Sequence, residues 1–588
     1  MAFTPAVNDS AEKGVIRAGV GRCLPWLLWS WVGRPRGMSL EPRADQGVPK
    51  LTARVVRAAF PKGTLAVRIR EALGPLFDDV AFADAFPARG RPAVSPGALA
   101  LVSVLQYAEG LTDRQAADQV RARMDWKFLL GLELDDPGFD HSVLSLFRAR
   151  LIEHGLEQRT LELVLDRLRE LGLLKAGGRQ RTDSTHVLAA VRTLNRMEFV
   201  GETLRAALEA LAVVAPTWLS GLLTAEWAER YGPRVDDYRF PKGEEVREQW
   251  SQQVGRDGFF LLEAVYTPAA PAWLREIDAV QVLRHSWVQQ YHRDEKGVRW
   301  REGKDLPPVH HRLCSPYDTD ARYGIKRGSG WTGYKTHLTE TCEPDAPHVI
   351  TQVSTTDAVV ADTEMTEPVH QTLAERELLP DVHVVDAGYT TAALFVTATE
   401  RGMELLGPAP HDSSRQTRLD QGFSRADFAI DWATESAICP GGHRSFEWWE
   451  QRHHRNGTPV LKVFFSAEHC RPCPKQAQCT KPPSGRRGRG ITFLPRERHE
   501  ALEAARQAQE TDEWKSRYAI RAGVEGTISQ AARVTGLRRT RYRNLPTTRL
   551  GHVFAATALN IIRIDRWLTG TPLGGTRTSR LEALILAA

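Results

Sequence analysis

No apolar run in this sequence reaches the roughly 20 residues that a helix needs to cross a bilayer. The longest candidate, residues 23–33, is too short and contains Pro25. We therefore expect no membrane partner. The 588 residues are ordinary in composition, with 42% hydrophobic and 26% charged residues. This excludes collagen-like, disordered and disulfide-scaffold classes, and the length suggests about three or four domains, or two with large insertions.

A cleavable secretory signal is also missing. Arg17 and Arg22 precede the apolar run, but Arg34 and Arg36 follow it in place of the small residues of a cleavage site. Met38 then begins a more ordinary protein start. We interpret residues 1–37 as a mis-assigned upstream start or a disordered tail, with a membrane-surface anchor as the alternative, and we expect a cytoplasmic protein.

Cysteine is scarce, with seven residues in the chain. Four of them lie in one short segment: Cys439, Cys470, Cys473 and Cys479. Disulfides are rare in reducing compartments, so clustered thiols indicate a metal site there. Four thiolates can hold a tetrahedral structural Zn²⁺, and a strand predicted at 460–465 suggests a small zinc-ribbon-like insertion. Unligated thiols and an iron–sulfur cluster are the alternatives.

The net charge of +6 is only a weak indication of a polyanionic partner. Two local clusters are more informative, one at 485–490 and a denser one at 538–543. The arginines of these clusters are Arg486, Arg487 and Arg489, and Arg538, Arg539, Arg541 and Arg543. For either cluster alone, a solvated surface is the alternative interpretation.

Residues 51–174 are predicted to be helical. Thr112 and Gln115 form a capping-box pattern at the start of one short helix, which carries Arg114 and Arg121. Short helices joined by tight turns, with arginines outside, are typical of a helix-turn-helix-like DNA-binding module. A plain helical bundle is the alternative.

From residue 179 onward, the pattern predicts an α/β sheet with packed helices. It places strands at 179–187, 334–339 and 348–354, the last two as an antiparallel hairpin, and a buried parallel strand at 381–386. Long helices are predicted at 188–212 and 496–533, and the segment before residue 316 has no clear assignment. Residues 328–333 match a dinucleotide-binding pattern but precede a strand rather than a helix, so we expect no nucleotide cofactor.

Three widely separated acids are the strongest candidates for chemistry. Asp183 lies at the polar end of the first strand, Asp386 at the carboxyl end of the apolar strand, and Glu525 on the late helix. Ligand sites of open α/β sheets cluster at such strand ends. Converging carboxylates can hold the paired Mg²⁺ ions of phosphoryl transfer. Taken singly, each acid fits a turn, a cap or a surface position equally well.

Glu525 has two candidate partners. Tyr518, Arg521 and Glu525 are spaced three and four residues apart, which predicts that they share one helix face. Gly523 and Gly526 flank the acid and weaken the helix by up to ~1 kcal/mol each relative to alanine. Arg521 suits phosphate binding and would keep the carboxylate ionised.

These blocks resemble those of a known family. Tyr518-x2-Arg521-x3-Glu525 resembles the Tyr-Arg-Glu-Lys signature of DDE transposases of bacterial insertion sequences. Residues 183–185 and 386–389 resemble the blocks that hold the two catalytic aspartates of that family. Residues 110–117 and 139–148 resemble its N-terminal helical domain, and residues 315–322 with 333–335 resemble the segment that leads to its second strand. The similarity covers about residues 51–567, and the blocks occur in the right order.

The resemblance implies an RNase H-like core in which Asp183, Asp386 and Glu525 hold two Mg²⁺ ions, for which Mn²⁺ can substitute, while Arg521 and Tyr518 orient the scissile phosphate. It implies cut-and-paste transposition: cleavage at the terminal inverted repeats of an element, then strand transfer to target DNA. Two DNA ends bound at once imply a homodimer. The signature lysine is replaced by Ala532, and the adjacent Arg533 is the candidate substitute. The arginines expected to contact DNA are Arg114, Arg121, Arg486, Arg487, Arg489, Arg533, Arg538, Arg539, Arg541 and Arg543.

The predicted fold class is α/β, an RNase H-like mixed sheet with helices on both faces. We expect an N-terminal extension over 1–45, an all-helical DNA-binding domain over 46–175 and a catalytic domain over 176–570. That domain carries insertions at about 190–320 and 408–495, and a tail follows over 571–588. Two other functions fit the same residues: a catalytically inactive, transposase-derived DNA-binding protein, and a metal-dependent endonuclease without strand transfer.

Overall fold

The computed structural model describes residues 38–43, 47–87, 89–295, 297–326, 328–412, 415–419, 421–454 and 457–571. Residues 1–37, which we interpret as a mis-assigned start or a disordered tail, lie outside these ranges. The predicted C-terminal tail from residue 572 on also lies outside them. None of the helices within them has the length and apolar character required to traverse a bilayer.

The centre of the fold is a mixed sheet, which we call the central sheet. In order across the sheet, its strands are Glu404–Leu406, Val382–Val384, Arg179–Leu188, Ser329–Thr341 and Arg322–Lys326, and Ile350–Asp357 also pairs with Ser329–Thr341. The first three strands are mutually parallel, and the remaining pairings are antiparallel. The predicted α/β class and hairpin are confirmed, and the strand order is compatible with an RNase H-like core.

Strand Arg179–Leu188, which we call the first strand, is polar yet buried. Its polar groups are hydrogen-bonded to neighbouring segments of the chain. Thr182 Oγ1 lies 2.7 Å from Thr339 Oγ1 and 2.6 Å from His383 Nε2. Gln180 donates to the Leu378 carbonyl at 2.7 Å. Hydrogen bonding removes most of the cost of burying polar groups, so a strand that is polar in sequence can lie inside a sheet.

Helices precede this sheet in the chain. They span Lys50–Ala59, Leu65–Leu73, Pro96–Ala108, Asp113–Ala122, Met124–Leu130, Ser142–Glu153 and Arg159–Glu170. The capping box predicted at Thr112 is present: Thr112 Oγ1 accepts from the Gln115 backbone, and Gln115 Oε1 accepts from the Thr112 backbone at 2.9 Å. All of these helices except Lys50–Ala59 share a hydrophobic core with the last helix, Leu545–Leu568, and with the sheet. Val56 of Lys50–Ala59 packs in a smaller cluster with Val67 and Phe128.

The last helix also completes the edge of the sheet. Asn560 accepts from the Ile350 backbone N–H at 2.7 Å and donates to the Ile350 carbonyl at 2.8 Å. Both main-chain groups of Ile350 are therefore bonded, as buried backbone groups require.

A helical insertion lies between the first strand and strand Arg322–Lys326. Its helices are Arg196–Val214, Pro216–Ser220, Ala225–Tyr231, Glu244–Tyr266 and Asp278–Gln290, followed by the small hairpin Tyr291–Asp294 and Gly297–Trp300. It has its own core around Trp287 and Tyr291. The helix predicted from residue 188 begins only at Arg196, because the strand continues to Leu188 and Asn195 caps the helix.

Helices Asp362–Glu375 and Ala392–Glu400 flank the parallel strands. The second insertion contains short strands Ala429–Asp431 and Ser436–Ile438, and a three-stranded antiparallel sheet. The strands of that sheet are Glu447–Arg452, Pro459–Ser466 and Arg487–Phe493, and short helices Arg415–Leu419, Ala467–Cys470 and Gln476–Cys479 accompany them.

The single helix predicted over 496–533 was wrong. The chain forms Arg496–Gln509, Asp512–Tyr518, a 3-10 turn Ala519–Ala522 and Gly523–Val534. One cause is Arg181, which donates to the Ile520 carbonyl at 2.6 Å. This carbonyl is one of the acceptors that a continuous helix would use for its backbone hydrogen bonds. The Arg181 guanidinium also fills the space that a Cβ at Gly523 would need. The close approach of Arg181 to the backbone therefore requires glycine at this position.

Candidate active site

Asp183 lies in the middle of the first strand and is buried. It pairs across the sheet with Leu338. Its Oδ1 accepts from the Ser184 backbone N–H at 2.7 Å, and its Oδ2 accepts from Arg521 Nη2 at 2.7 Å. The carboxylate is thus held in one orientation by its own strand and by a residue far along the chain.

Asp386 follows the strand Val382–Val384, which runs parallel to the beginning of the first strand. Its Oδ1 accepts from the Gly388 N–H at 2.9 Å, so it caps the 3-10 turn Ala387–Tyr389. The other oxygen, Oδ2, lies 3.7 Å from Arg521 Nη2. This is the strand-end position that the sequence predicted.

Glu525 lies in the first turn of helix Gly523–Val534. Its Oε1 accepts from Arg521 Nη1 at 2.7 Å, and its side chain is 64% exposed. The three predicted acids are therefore brought together around one guanidinium, with Asp183 and Asp386 supplied by the sheet and Glu525 by a helix.

Burial raises the pKa of the Asp183 carboxyl group. The Arg521 guanidinium opposes this shift without cancelling it, and the nearby Asp386 charge adds to it. Carboxyl groups with perturbed pKa values and specific charged neighbours cluster at functional sites.

Tyr518 lies next to this cluster, although it belongs to the preceding helix, Asp512–Tyr518, rather than to the helix of Glu525. Its ring stacks on Trp514 with centroids 4.6 Å apart. Burial raises the pKa of Tyr518, and the charges of Asp386 and Asp183 add to that rise. The phenol thus stays protonated and able to donate a hydrogen bond.

A fourth carboxylate, Asp362, was missed by sequence reasoning. Its Oδ2 accepts from the Ser184 hydroxyl at 3.2 Å, and its Oδ1 accepts from Lys335 Nζ at 3.0 Å. Asp362 is therefore hydrogen-bonded to Ser184, the residue that follows Asp183 in the strand. Lys335 belongs to the segment 333–335 of the resemblance, which was the only indication available.

A buried ionic cluster lies behind the acids. Glu340 Oε1 accepts from Arg181 Nε at 2.7 Å, and its Oε2 accepts from Arg563 Nη1 at 2.7 Å and from Thr527 Oγ1 at 2.6 Å. Thr527 lies on the helix of Glu525, and Arg181 is two residues before Asp183 on the same face of its strand. The cluster ties that helix and the last helix to the sheet.

The basic segment 538–543 runs along the first strand. The Leu188 N–H donates to the Arg538 carbonyl at 2.8 Å, and the Thr540 N–H donates to Leu188 at 3.0 Å. Arg538 Nε donates to Thr185 Oγ1 at 2.9 Å. Arg538 thus lies two residues along the strand from Asp183, whereas Arg541 donates to the Leu111 carbonyl of the N-terminal helices. The exposed arginines of this region are Arg533, Arg538, Arg539, Arg541 and Arg543.

The other predicted DNA contacts lie elsewhere. Arg114 and Arg121 are exposed on helix Asp113–Ala122, where Arg121 pairs with Asp118 at 3.2 Å. In the second insertion the three arginines have internal partners. Arg486 and Arg487 both pair with Glu447, and Arg489 donates to the Cys479 carbonyl at 3.0 Å.

The four clustered cysteines line one small cavity of about 20 Å³, together with His443 and His469. Burial raises the pKa of Cys479, Arg489 opposes the rise, and the other three thiols add to it. The thiols are thus close neighbours. Across the described ranges, however, no set of three or more His, Cys, Asp or Glu side chains is arranged to hold a metal ion.

The carboxylates suit a divalent cation by their chemistry, since Mg²⁺ prefers a few carboxylate oxygens with water and phosphate. Asp183, Asp386 and Glu525 already converge on a cationic group. In the present arrangement that group is the Arg521 guanidinium, so metal binding requires Arg521 to move.

Two family models match the chain. Residues 54–150 match the transposase domain (DUF772), and residues 438–565 match the transposase DDE domain. The first covers the N-terminal helices from Arg54 to Arg150, and the second covers the cysteine cluster, Tyr518, Arg521 and Glu525. No curated protein matches the sequence. Transposase domains imply a DNA partner, and DDE domains generally use divalent metal ions. Two segments of the chain thus match transposase domains, which confirms the resemblance to DDE transposases of insertion sequences.

Proposed function

We propose that this protein is a transposase that cuts DNA at the terminal inverted repeats of an insertion sequence and joins the freed ends to target DNA. The observation that carries the proposal is the convergence of Asp183, Asp386 and Glu525 on Arg521. Bringing carboxylates together costs free energy unless a cation offsets their repulsion, and a site for divalent cations requires such convergence.

The reaction consists of two phosphoryl transfers. Water attacks the phosphodiester at the element end in line, a new P–O bond forms, and the bond to the 3′ oxygen breaks. The freed 3′-OH then attacks a phosphodiester of the target and displaces the 3′ oxygen there. Two Mg²⁺ ions held by Asp183, Asp386 and Glu525 would activate the attacking oxygen and stabilise the leaving one.

The chain's own groups position the phosphate. Arg521 has a planar fork of donors suited to two phosphate oxygens, and the protonated Tyr518 hydroxyl can donate to a third acceptor. With metal held by the carboxylates, Arg521 would be free to face the substrate. Ser184 and Gly388 N–H groups keep one oxygen of each aspartate occupied and direct the other toward the site.

The exposed arginines of segment 538–543, with Arg533, supply phosphate contacts beside the acids. The N-terminal helices, through Arg114 and Arg121, and the second insertion, through Arg486, Arg487 and Arg489, bind the terminal repeats. Such contacts are salt-dependent because they release counterions. A homodimer would hold the two ends together for joining.

We also propose that Cys439, Cys470, Cys473 and Cys479 hold a structural Zn²⁺. The support is that all four line the same small cavity and that sulfur ligands in a tetrahedral set suit Zn²⁺. The thiols must rotate to reach that geometry. The ion would stabilise the second insertion, away from the acids.

A strand-transfer assay tests the proposal. Wild-type protein, Asp386→Ala and the control Asp345→Ala, an exposed turn residue, are incubated with Mg²⁺, a labelled duplex in which the inverted repeat that borders the gene is followed by flanking DNA, and a target plasmid. We expect joined products from the wild type and the control, and none from Asp386→Ala.

Three results would overturn the proposal. Equal joining by Asp386→Ala excludes the acids as catalysts. Cut but unjoined ends identify an endonuclease. Binding of the repeat without cutting by the wild type identifies a DNA-binding protein derived from a transposase.

A further inference from the structure

The lysine of the Tyr-Arg-Glu-Lys signature has no equivalent on helix Gly523–Val534. Ala532 occupies its position, and the adjacent Arg533 is the substitute that the sequence suggests. Residue 532 is seven residues after Glu525, which is close to two full turns, so the two residues share a helix face. Successive residues of a helix point about 100° apart. Arg533 therefore leaves the helix in a different direction and does not replace the missing cation on that face.

The chain returns to the first strand directly after this helix. Gly536, two residues past the end of the helix, has a φ of 71°, the left-handed conformation that glycine favours at helix C-termini. The next residues pair with the end of the first strand. The Leu188 N–H donates to the Arg538 carbonyl at 2.8 Å, and the Thr540 N–H donates to the Leu188 carbonyl at 3.0 Å. The backbone of Arg538 is thus fixed to the strand that carries Asp183.

The Arg538 side chain lies on the face of the first strand that carries Asp183. Its Nε donates to Thr185 Oγ1 at 2.9 Å. Thr185 is buried and comes two residues after Asp183, so the two side chains share a strand face and their Cα atoms are roughly 6–7 Å apart. Arg521 bonds Asp183 on the same face. Two guanidinium groups are therefore neighbours there, one at Asp183 and one at Thr185.

The Arg538 guanidinium keeps donors for a ligand. The residue is exposed, and within the part of the chain that the structure describes its Nη1 and Nη2 groups form no hydrogen bond or ion pair. Because Nε already bonds Thr185, the planar group loses less freedom when its Nη donors bind a phosphate. Arg541 of the same segment differs, since it donates to the Leu111 carbonyl. Arg538 is thus anchored beside the acids and still able to bind an anion.

We propose that Arg538, positioned by Thr185, binds the DNA phosphate next to the scissile phosphate and replaces the signature lysine as a cation beside the acids. Arg521, at Asp183, faces the scissile phosphate, and Arg538, two residues further along the strand, faces the neighbouring one. The inference rests on the proposed function, because it assigns one arginine to one phosphate of that substrate. Arg533 then contributes only to the general attraction of DNA to a basic surface.

The test measures DNA binding by fluorescence anisotropy in the Asp386→Ala background, where the DNA stays intact. The probe is a labelled duplex in which the inverted repeat that borders the gene is followed by flanking DNA. A set of these duplexes carries a neutral methylphosphonate in place of one phosphate at a time across the junction of repeat and flank. Arg538→Gln and Arg533→Gln form a matched pair, since each removes one exposed arginine.

In the background protein, we expect a methylphosphonate at one phosphate adjacent to the junction to weaken binding about tenfold, as the loss of a charge-assisted hydrogen bond implies. Arg538→Gln should weaken binding of the unmodified duplex by a similar factor, and the methylphosphonate at that phosphate should then add no further loss. The slope of log affinity against log salt should fall in magnitude by about one. Arg533→Gln should keep the full penalty at that phosphate.

Two variants of Thr185 test the anchor. Thr185→Ser keeps the hydroxyl group and should keep the penalty, whereas Thr185→Val removes the hydroxyl at a similar volume and should lose most of the penalty. A general effect on the fold would weaken binding of every duplex alike, so the loss at one phosphate identifies positioning. An unchanged penalty in Arg538→Gln, or its loss in Arg533→Gln, overturns the inference. A full penalty in Thr185→Val overturns the role of Thr185.

The outcome is distinguishable from failure of the proposed function. A penalty at one junction phosphate that depends on Arg538, without Asp386-dependent cutting by the otherwise wild-type protein, supports the Arg538 contact and overturns the transposase proposal. Asp386-dependent joining without an Arg538-dependent penalty overturns the Arg538 contact alone.

Discussion

Arg521 donates a 2.7 Å hydrogen bond to the carboxylate of Asp183, although 338 residues separate them in the chain. The same guanidinium bonds Glu525 and lies 3.7 Å from Asp386. One cation therefore offsets the mutual repulsion of three acids.

Replacing Arg521 with Gln should change metal affinity and rate in opposite directions. Without the guanidinium, nothing competes with Mg²⁺ for the carboxylates, so cleavage should reach half its maximal rate at lower Mg²⁺ concentration. The maximal rate should fall roughly 10²-fold, because the phosphate is no longer oriented. The measurement is the Mg²⁺ dependence of single-turnover cleavage.

The control is Arg517→Gln, which removes a neighbouring arginine that pairs with Glu404. Both parameters should stay close to those of the wild type. Weaker Mg²⁺ binding by Arg521→Gln would contradict the view that arginine and metal compete for the same carboxylates.

The raised pKa of Asp183 predicts a pH-dependent effect on stability. A carboxyl group whose pKa is higher in the folded than in the unfolded state stabilises the fold while it is protonated, and this stability is lost as pH rises through the folded-state pKa. Asp183→Asn, which cannot ionise, should match the wild type in acid and exceed its melting temperature at neutral pH. Thermal unfolding with a chelator across this range checks the sign. A wild type that gains stability over the variant as pH rises would contradict it.

Removing Glu340 should destabilise the fold strongly. Glu340→Ala leaves the buried Arg181 and Arg563 without their common partner, and breaking a buried ion pair costs about 3–5 kcal/mol. Glu343→Ala is the matched control, because it removes a partly exposed pair with Arg179 that is worth about 0–1 kcal/mol. Urea unfolding of both variants measures the difference. Equal losses in the free energy of unfolding would show that the buried cluster stabilises the fold no more than an exposed ion pair does.

The cysteine cluster makes a prediction about metal content. The purified protein should contain about one equivalent of zinc, and Cys473→Ala should lose it and unfold at lower temperature. Cys314→Ala, at a cysteine outside the cluster, should keep the metal. Elemental analysis and thermal unfolding measure both. Wild-type protein without bound metal, even after refolding with zinc, would exclude the site.

The sequence was sufficient to predict the α/β class and strands at 179–187, 334–339, 348–354 and 381–386, because each follows a local pattern. It did not predict the edge strand Arg322–Lys326, and Asp183 lies in the middle of its strand rather than at the expected polar end. Local patterns also predicted the Thr112 capping box. The polar first strand was harder to interpret. Its partners, such as Glu340 for Arg181, are 159 residues away, and no local pattern indicates which charges will meet.

The dependence on partners that are distant in sequence also explains the two main differences between the predicted and the observed secondary structure. The late helix is broken where Arg181 meets Ile520 and Gly523, a tertiary contact that overrides helix propensity. The rest of the helical insertion, after its first helix, had no clear assignment because the long helix Glu244–Tyr266 contains glycines such as Gly258, which accommodates the Trp287 ring. Asp362 has the pattern of an ordinary helix start, and only the fold shows it beside Ser184.

Metal-directed cleavage of the protein backbone can establish whether Asp183, Asp386 and Glu525 hold divalent ions together. Fe²⁺ in place of Mg²⁺, with ascorbate and peroxide, generates radicals that cut the chain next to the bound ion. We predict cuts close to residues 183, 386 and 525 in the wild type, suppressed by excess Mg²⁺ and absent in Asp386→Ala. Cuts near only one of the three residues, or a pattern that Asp386→Ala leaves unchanged, would contradict a shared metal site.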